Sequence, residues 1–185
     1  MNILVIIAHP NMKRSRVNSK WKKELEQVQQ VTVHDLYEQY PDEIINVKRE
    51  QELLAAHDRI VFQFPFFWYS TPPLLKKWMD DVLMYGWAYG SGGKALNGKE
   101  LVLAISIGGR EKSYQAGGTN HYTISELTRP LQATANLTGM FFLSHFVQYG
   151  AVYADQEIIC ESAKAYVEHI TDINLNPLQR LSNRA

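Results

Sequence analysis

Asp58-Arg59-Ile60-Val61-Phe62-Gln63-Phe64-Pro65-Phe66-Phe67-Trp68-Tyr69-Ser70-Thr71-Pro72-Pro73-Leu74-Leu75-Lys76-Lys77-Trp78 reads as a buried strand, a four-aromatic loop and a capped helix in unbroken succession. Pro65 and Ser70-Thr71-Pro72-Pro73 bound the four rings, so the chain must turn there instead of prolonging the strand. Thr71 can cap the following helix, and Pro72 suits its first turn, where a missing N–H costs nothing. Aromatic runs more often fill a core or a subunit interface than bind a ligand. This one sits at the carboxyl end of a strand just ahead of a helix N-terminus, a place that suits a flat, apolar, anionic ligand.

The flanking elements decide what kind of sheet this strand belongs to. Ile3-Leu4-Val5-Ile6-Ile7-Ala8 is a continuous apolar run rich in β-branched residues, the pattern of a strand covered on both faces. Val17, Trp21, Leu25 and Val28 then form one apolar stripe on a helix. Val31 to Leu36 alternates like a shorter strand, and Val47 to Ala56 is a charged helix carrying Leu53 and Leu54. Lys99 to Ile107 predicts a fourth strand and Phe141 to Val147 a fifth. Between them Thr123-Ile124-Ser125-Glu126 matches a capping box, with Pro130 set to kink that helix or begin a second segment. A last helix starts at Asp155, and residues 171–185 read as a peripheral tail of a single domain spanning 1–185. Five strands alternating with five helices predict an α/β, doubly wound, five-stranded parallel sheet with helices on both faces. Ligands of such sheets bind beyond the carboxyl ends of the strands, where strand order switches.

Length and charge exclude several classes. A chain of 185 residues can bury roughly 70% of its extended surface as one domain. The lone Cys160 excludes an intrachain disulfide and favours a reducing, cytoplasmic setting. The apolar run at the N-terminus is too short for a signal sequence or a membrane span. With 19 basic and 19 acidic residues there is no global field for nucleic acid. Locally, Lys13, Arg14, Arg16, Lys20, Lys22 and Lys23 stand together without an acid, as a solvated helix face or a site for a phosphate-bearing small molecule. No metal-ligand spacing links His9, His34, His57, His121, His145 and His169.

Three loops follow strands one, three and four. The first lacks both the dinucleotide fingerprint and the P-loop. It offers His9, Ser15, Asn18 and the backbone of the helix start to a phosphate, although Ser15 could simply cap the helix. The second offers Phe66, Phe67, Trp68 and Tyr69, whose N–H groups are free to meet the polar edge of a ring. The neighbouring Trp78, Met79, Met84, Tyr85, Trp87 and Tyr89 read instead as core and dimer contacts. The third opens Ser106-Ile107-Gly108-Gly109, where paired glycines let the backbone approach a ligand. Tyr114 and His121 further along can each donate a hydrogen bond to developing negative charge.

Taken together, the strand followed by His9-Pro10 with Ser15 and Asn18, the Pro65-Phe66-Phe67-Trp68-Tyr69 loop with Pro72 and Trp78-Met79-Asp80, the Ser106-Ile107-Gly108-Gly109 turn and Arg129-Pro130-Leu131 resemble the flavodoxin-like NAD(P)H:quinone oxidoreductases. That family includes DT-diaphorase, general-stress-type oxidoreductases and the ancillary flavoproteins of potassium-efflux systems. The resemblance covers roughly residues 2–170. It implies a flavin whose phosphate and ribityl groups meet His9, Ser15, Arg16, Val17 and Asn18. The ring would lie against Pro65, Phe66, Phe67, Trp68, Tyr69, Ser106, Ile107, Gly108 and Gly109. Tyr114 and His121 fall where the family places the pair that stabilises the reduced ring, their separation one residue longer than in DT-diaphorase. The short C-terminus resembles compact members and favours FMN, with FAD as the alternative. NAD(P)H would be the co-substrate, a quinone-like electrophile the acceptor, and turnover a two-electron ping-pong hydride transfer. The family also implies a homodimer whose sites are completed by the partner chain. A competing expectation is an ancillary subunit docked on a membrane transporter, peripheral at the inner face of the membrane.

Overall fold

The structure is a computed structural model describing residues 1–177. Its frame is a parallel sheet in the order β2-β1-β3-β4-β5, with β6 also pairing β4. The strands are β1 (Ile3–Ile7), β2 (Val31–Asp35), β3 (Arg59–Pro65), β4 (Glu100–Ser106), β5 (Phe141–Phe142) and β6 (Phe146–Gln148). The helices are α1 (Val17–Leu25), α2 (Leu36–Gln39), α3 (Val47–Ala55), α4 (Pro73–Val82), α5 (Ile124–Leu127), α6 (Arg129–Leu137) and α7 (Gln156–Thr171). Strand order reverses at β1 and β3, where the chain passes from one side of the sheet to the other. Every residue of β1, β3 and β4 is buried, as an apolar run without alternation predicts for strands covered on both faces.

Alternate residues of those strands feed two separate cores. Leu4, Ile6, Ile60, Phe62, Phe64, Leu103 and Ile105 pack with Leu54, Leu74, Trp78 and Leu131 from α3, α4 and α6. Ile3, Val5, Val61, Val102 and Ala104 pack with Trp21 and Leu25 of α1 and Ile159, Tyr166 and Ile170 of α7. Trp21 meets Tyr166 with ring centroids 4.8 Å apart and the rings tilted by 44°, and donates its indole N–H to Ser162 Oγ at 3.1 Å. Trp78 is packing, as its helical spacing predicts. It meets Phe62 edge-on and donates to Glu50 Oε2 at 2.8 Å. Burial pushes the Glu50 carboxyl up, but bonds from His34, Tyr40 and Trp78 outweigh it and hold the group below its ordinary value. Tyr40, buried beside that carboxylate, is pushed up to about 12.

Three features depart from the sequence reading. Leu36–Gln39 leaves the second strand early as the short helix α2. The helix begun by the Thr123 capping box ends after one turn, and Pro130 opens α6 as a separate segment, which removes a donor where none is needed. The fifth strand is broken. Leu101 pairs with Phe142 and Ala104 with Phe146, so Val102 and Leu103 face the three residues Leu143, Ser144 and His145. That extra residue is a bulge, which terminates pairing and re-aims the chain that follows.

Two residues of the segment 171–185, expected to be a peripheral tail, pack against the sheet. Leu175 and Asn176 are buried, and Asn176 Nδ2 donates to Glu100 Oε1 at 2.9 Å; residues 178–185 lie outside the described part. Glu100 simultaneously accepts from Arg59 Nε at 2.7 Å, and Arg59 donates on to the carbonyl oxygens of Ile170 and Asp172 at the end of α7. A fully buried guanidinium thus captures helix-terminal carbonyls that would otherwise be orphaned. Removing one partner of a buried ion pair leaves the other charge uncompensated. Arg59→Met is therefore expected to lower the unfolding free energy by about 3–5 kcal/mol, with Arg59→Met/Glu100→Met recovering part of the loss. Urea denaturation of the two variants and the parent measures both.

Candidate functional site

The carboxyl ends of β1, β3 and β4 open together onto a cleft of about 460 Å³. His9, Arg14, Ser15, Arg16, Val17 and Asn18 line one side, Pro65, Phe66 and Phe67 another, and Ser106 and Gly108 the floor. Most residues singled out in the three loops therefore meet at one place. The loop after β6 adds Ala151 and Val152, which the sequence reading missed by confining itself to three loops. The signal was the run Gly150-Ala151-Val152 at the end of the fifth strand, at the same edge of the sheet. Val152 lies close enough that a Cβ on Gly108 would sit 2.9 Å from its Cγ2, so a larger residue there would push the Val152 side chain aside.

The anion-facing side is built by the start of α1. Ser15 Oγ accepts from the Asn18 N–H at 3.1 Å, so Ser15 does cap the helix, and its own proton is still available. Asn18 turns inward. It is buried, donates to Ser106 Oγ at 2.8 Å and accepts from Gln63 Nε2 at 3.3 Å. The N–H groups of Arg16 and Val17 have no acceptor among the described residues, and Arg14 and Arg16 are in no ion pair there. The basic run is thus divided: Lys20 pairs with Glu24 and Lys22 with Asp35 and Glu38, leaving the two arginines for the cleft. His9 Nδ1 faces the Asn11 N–H at 3.1 Å. A backbone N–H can only donate, so Nδ1 is the acceptor and the neutral ring carries its proton on Nε2. Burial lowers the His9 pKa, and Asp35 opposes that shift.

The aromatic loop folds back on itself. Phe67 and Ser70 exchange N–H···O bonds at 3.1 and 2.9 Å across a two-residue turn whose central residues, Trp68 and Tyr69, have φ of 49° and 61°. Such a turn is normally built from Asn-Gly. Two bulky residues in the left-handed region cost on the order of 1–3 kcal/mol each. Trp68 gains little packing in return, being 93% exposed. The Trp68 and Tyr69 N–H groups at its tip lack acceptors among the described residues. The two side chains stand outside the cleft lining, unlike Phe66 and Phe67.

On the far side, Ile107 is buried behind the floor and Gly109 lies under the Tyr114 ring, 3.1 Å from where its Cβ would stand. The Gly108 and Gly109 N–H groups also lack acceptors among the described residues. Tyr114 packs on Phe66 and Tyr149 at 6.4 and 6.0 Å. Burial and the neighbouring Tyr69 raise its pKa while a bond with Asn120 lowers it, so the phenol is a neutral donor at physiological pH. Asn120 also accepts from Tyr69 at 3.2 Å, a link that no pattern in the sequence signalled. His121 is not brought into the cleft. It is exposed at φ 62°, and its side chain makes no hydrogen bond among the described residues. Among the described residues no group of His, Cys, Asp and Glu could hold a metal ion, and no helix is long and apolar enough to cross a membrane.

A protein from Bacillus subtilis strain 168 named as an uncharacterized NAD(P)H oxidoreductase is 56% identical over 98% of this chain and 92% of its own. Ancillary proteins of the glutathione-regulated potassium-efflux system, as in Yersinia pestis, are 40% identical over 90% of this chain and 91% of theirs. Among solved structures, general stress protein 14 of Treponema denticola in complex with FMN superposes with a TM-score of 0.87 at 41% identity, covering 91% of this chain and 97% of that one. An NADPH-quinone reductase from P. pentosaceus superposes at 0.86 with 38% identity, covering 94% and 99%. The model of the flavodoxin-like fold family matches residues 1–170. With this match joined to the sheet order and the cleft at its switch point, the chain belongs to the flavodoxin-like fold family.

Proposed function

We propose that the protein is an FMN-dependent NAD(P)H oxidoreductase that reduces quinones or similar electrophiles by two-electron, ping-pong turnover. The observation that carries this reading is one cleft lined by Arg16, Val17 and Gly108, whose backbone N–H groups lack acceptors among the described residues, and also by Arg14, Arg16 and the Phe66 and Phe67 rings. A phosphate at the α1 end and a flat heteroaromatic ring between Phe66, Phe67 and the glycine turn would satisfy these groups together. The relatives named as NAD(P)H oxidoreductase and as FMN complex support the same choice.

Bound FMN supplies a ring that accepts a hydride equivalent and passes it on; the chain supplies alignment and charge stabilisation. Arg14, Arg16, Ser15 and His9 would hold the phosphate. The Gly108 and Gly109 N–H groups and the Tyr114 hydroxyl would face negative charge developing on the ring, in a site already shaped before reaction. Asn120 positions Tyr114 and Tyr69. The exposed Phe67, Trp68, Tyr69, Tyr122 and Tyr153 are covered, on this reading, by a second copy of the chain in a homodimer. Docking on a transporter, favoured by the likeness to the efflux ancillary proteins, would add a partner without altering this cleft.

Steady-state oxidation of NAD(P)H with a simple quinone, with and without added FMN, tests the assignment. Parallel double-reciprocal lines and strict dependence on FMN are expected, whereas an isolated, FMN-loaded protein without turnover would favour the docking role. Tyr114→Phe is expected to lower kcat about a hundredfold, the scale of one lost charge-stabilising donor, while His121→Ala leaves it within about threefold. The sign of the pH effect follows from His9. Its pKa is depressed in the flavin-free protein, and a phosphate contact would raise it, so protonation favours the complex as pH falls. Between pH 8 and 5.5, FMN affinity of the parent should therefore improve relative to that of His9→Gln. Equal pH profiles in a fluorescence titration would remove His9 from the phosphate site.

A further inference from the structure

We infer that Gln63 is a positioning residue for the cofactor cleft, fixing through Asn18 the direction of the hydrogen bond at Ser106 so that the Ser106 hydroxyl proton is offered to bound FMN. The inference rests on the flavin reading above. Gln63 lies on β3, is fully buried and does not line the cleft. Its Nε2 lies 3.3 Å from both the Asn18 carbonyl oxygen and Asn18 Oδ1. A backbone carbonyl can only accept, so the Gln63 atom facing it has to be the amide nitrogen, and the Asn18 atom sharing that nitrogen has to be Oδ1.

Once Oδ1 is taken, Asn18 presents Nδ2 to Ser106 Oγ, 2.8 Å away. An amide nitrogen donates, so Ser106 is the acceptor in this bond, and its own proton has no acceptor among the described residues. Ser106 lines the cleft at the end of β4, next to the free N–H of Gly108. The relay therefore adds one oriented donor to that floor, aimed at an electron-rich oxygen or nitrogen of the flavin. Gln63 Oε1, by contrast, is buried without a partner among the described residues. A buried acceptor lacking a donor destabilises the fold, which an apolar side chain at this position would avoid. Core balance alone does not account for a glutamine there; polarity at Ser106 does.

Without Gln63 the Asn18 amide can rotate, turn Oδ1 toward Ser106 and draw the hydroxyl proton inward. FMN titration of the flavin-free parent, Ser106→Ala, Gln63→Leu and the double variant reads this directly as a double-mutant cycle. Loss of one neutral hydrogen bond predicts about fivefold weaker binding for Ser106→Ala and about threefold for Gln63→Leu. The double variant is expected to bind no more weakly than Ser106→Ala alone, because Gln63 acts only through that hydroxyl. Gln63→Met serves if the leucine variant does not fold, and melting temperatures of the flavin-free proteins check that all are native. Losses that multiply, or a Gln63 variant that binds FMN like the parent, would overturn the relay. A native parent that takes up no FMN would overturn the flavin reading and the relay with it.

Discussion

Burial of β3 on both faces, between β1 on one side and β4 on the other, is the constraint from which the remaining structure follows. A strand with no face toward water must satisfy every backbone group laterally, and parallel neighbours impose crossover helices that alternate between the two faces. The same pairing brings three strands to an end along one edge. Chain direction at that edge then decides the loops: the start of α1, the turn before α4 and the glycine pair after β4 have nowhere else to meet. The cleft is a consequence of topology before it is a consequence of any side chain.

What the side chains add is a concentration of unmet hydrogen-bond donors and local strain. The backbone N–H groups of Arg16, Val17 and Gly108, which line the cleft, lack acceptors among the described residues and are open to a polar ligand. Trp68 and Tyr69 sit in left-handed backbone conformations that asparagine and glycine would adopt more readily. At the opposite end of the sheet the chemistry is reversed. There Arg59, Glu100 and Asn176 satisfy one another and the end of α7, apart from one guanidinium nitrogen, Arg59 Nη2, that has no partner among the described residues. One edge is built for stability and the other is left open for binding.

Much of this was legible from residue order. The uninterrupted apolar runs of β1, β3 and β4 announced a doubly covered parallel sheet, the Thr123 capping box formed as expected, and the loops chosen by the switch-point rule are those that line the cleft. Other parts were not legible because they depend on register and not on composition. The bulge at Leu143 to His145 is a single added residue, invisible until β4 supplies the opposing strand. Val152 meets Gly108 at the floor, a contact between loops that residue order does not show. The exposed position of His121 depends on the path of its loop, and the Gln63, Asn18 and Ser106 chain joins three elements far apart in sequence. The weak patterning after residue 171 also gave no sign that Leu175 and Asn176 are buried at the base of the sheet.

The account stands or falls on whether this cleft holds a flavin. The most direct measurement is the visible absorption spectrum of the purified protein, followed by mass identification of the chromophore released on denaturation. A yellow protein with a flavin spectrum and a released mass equal to that of FMN, stoichiometric with the chain, is the predicted result. A colourless protein that stays colourless after incubation with excess FMN, while retaining its native fold, would contradict it.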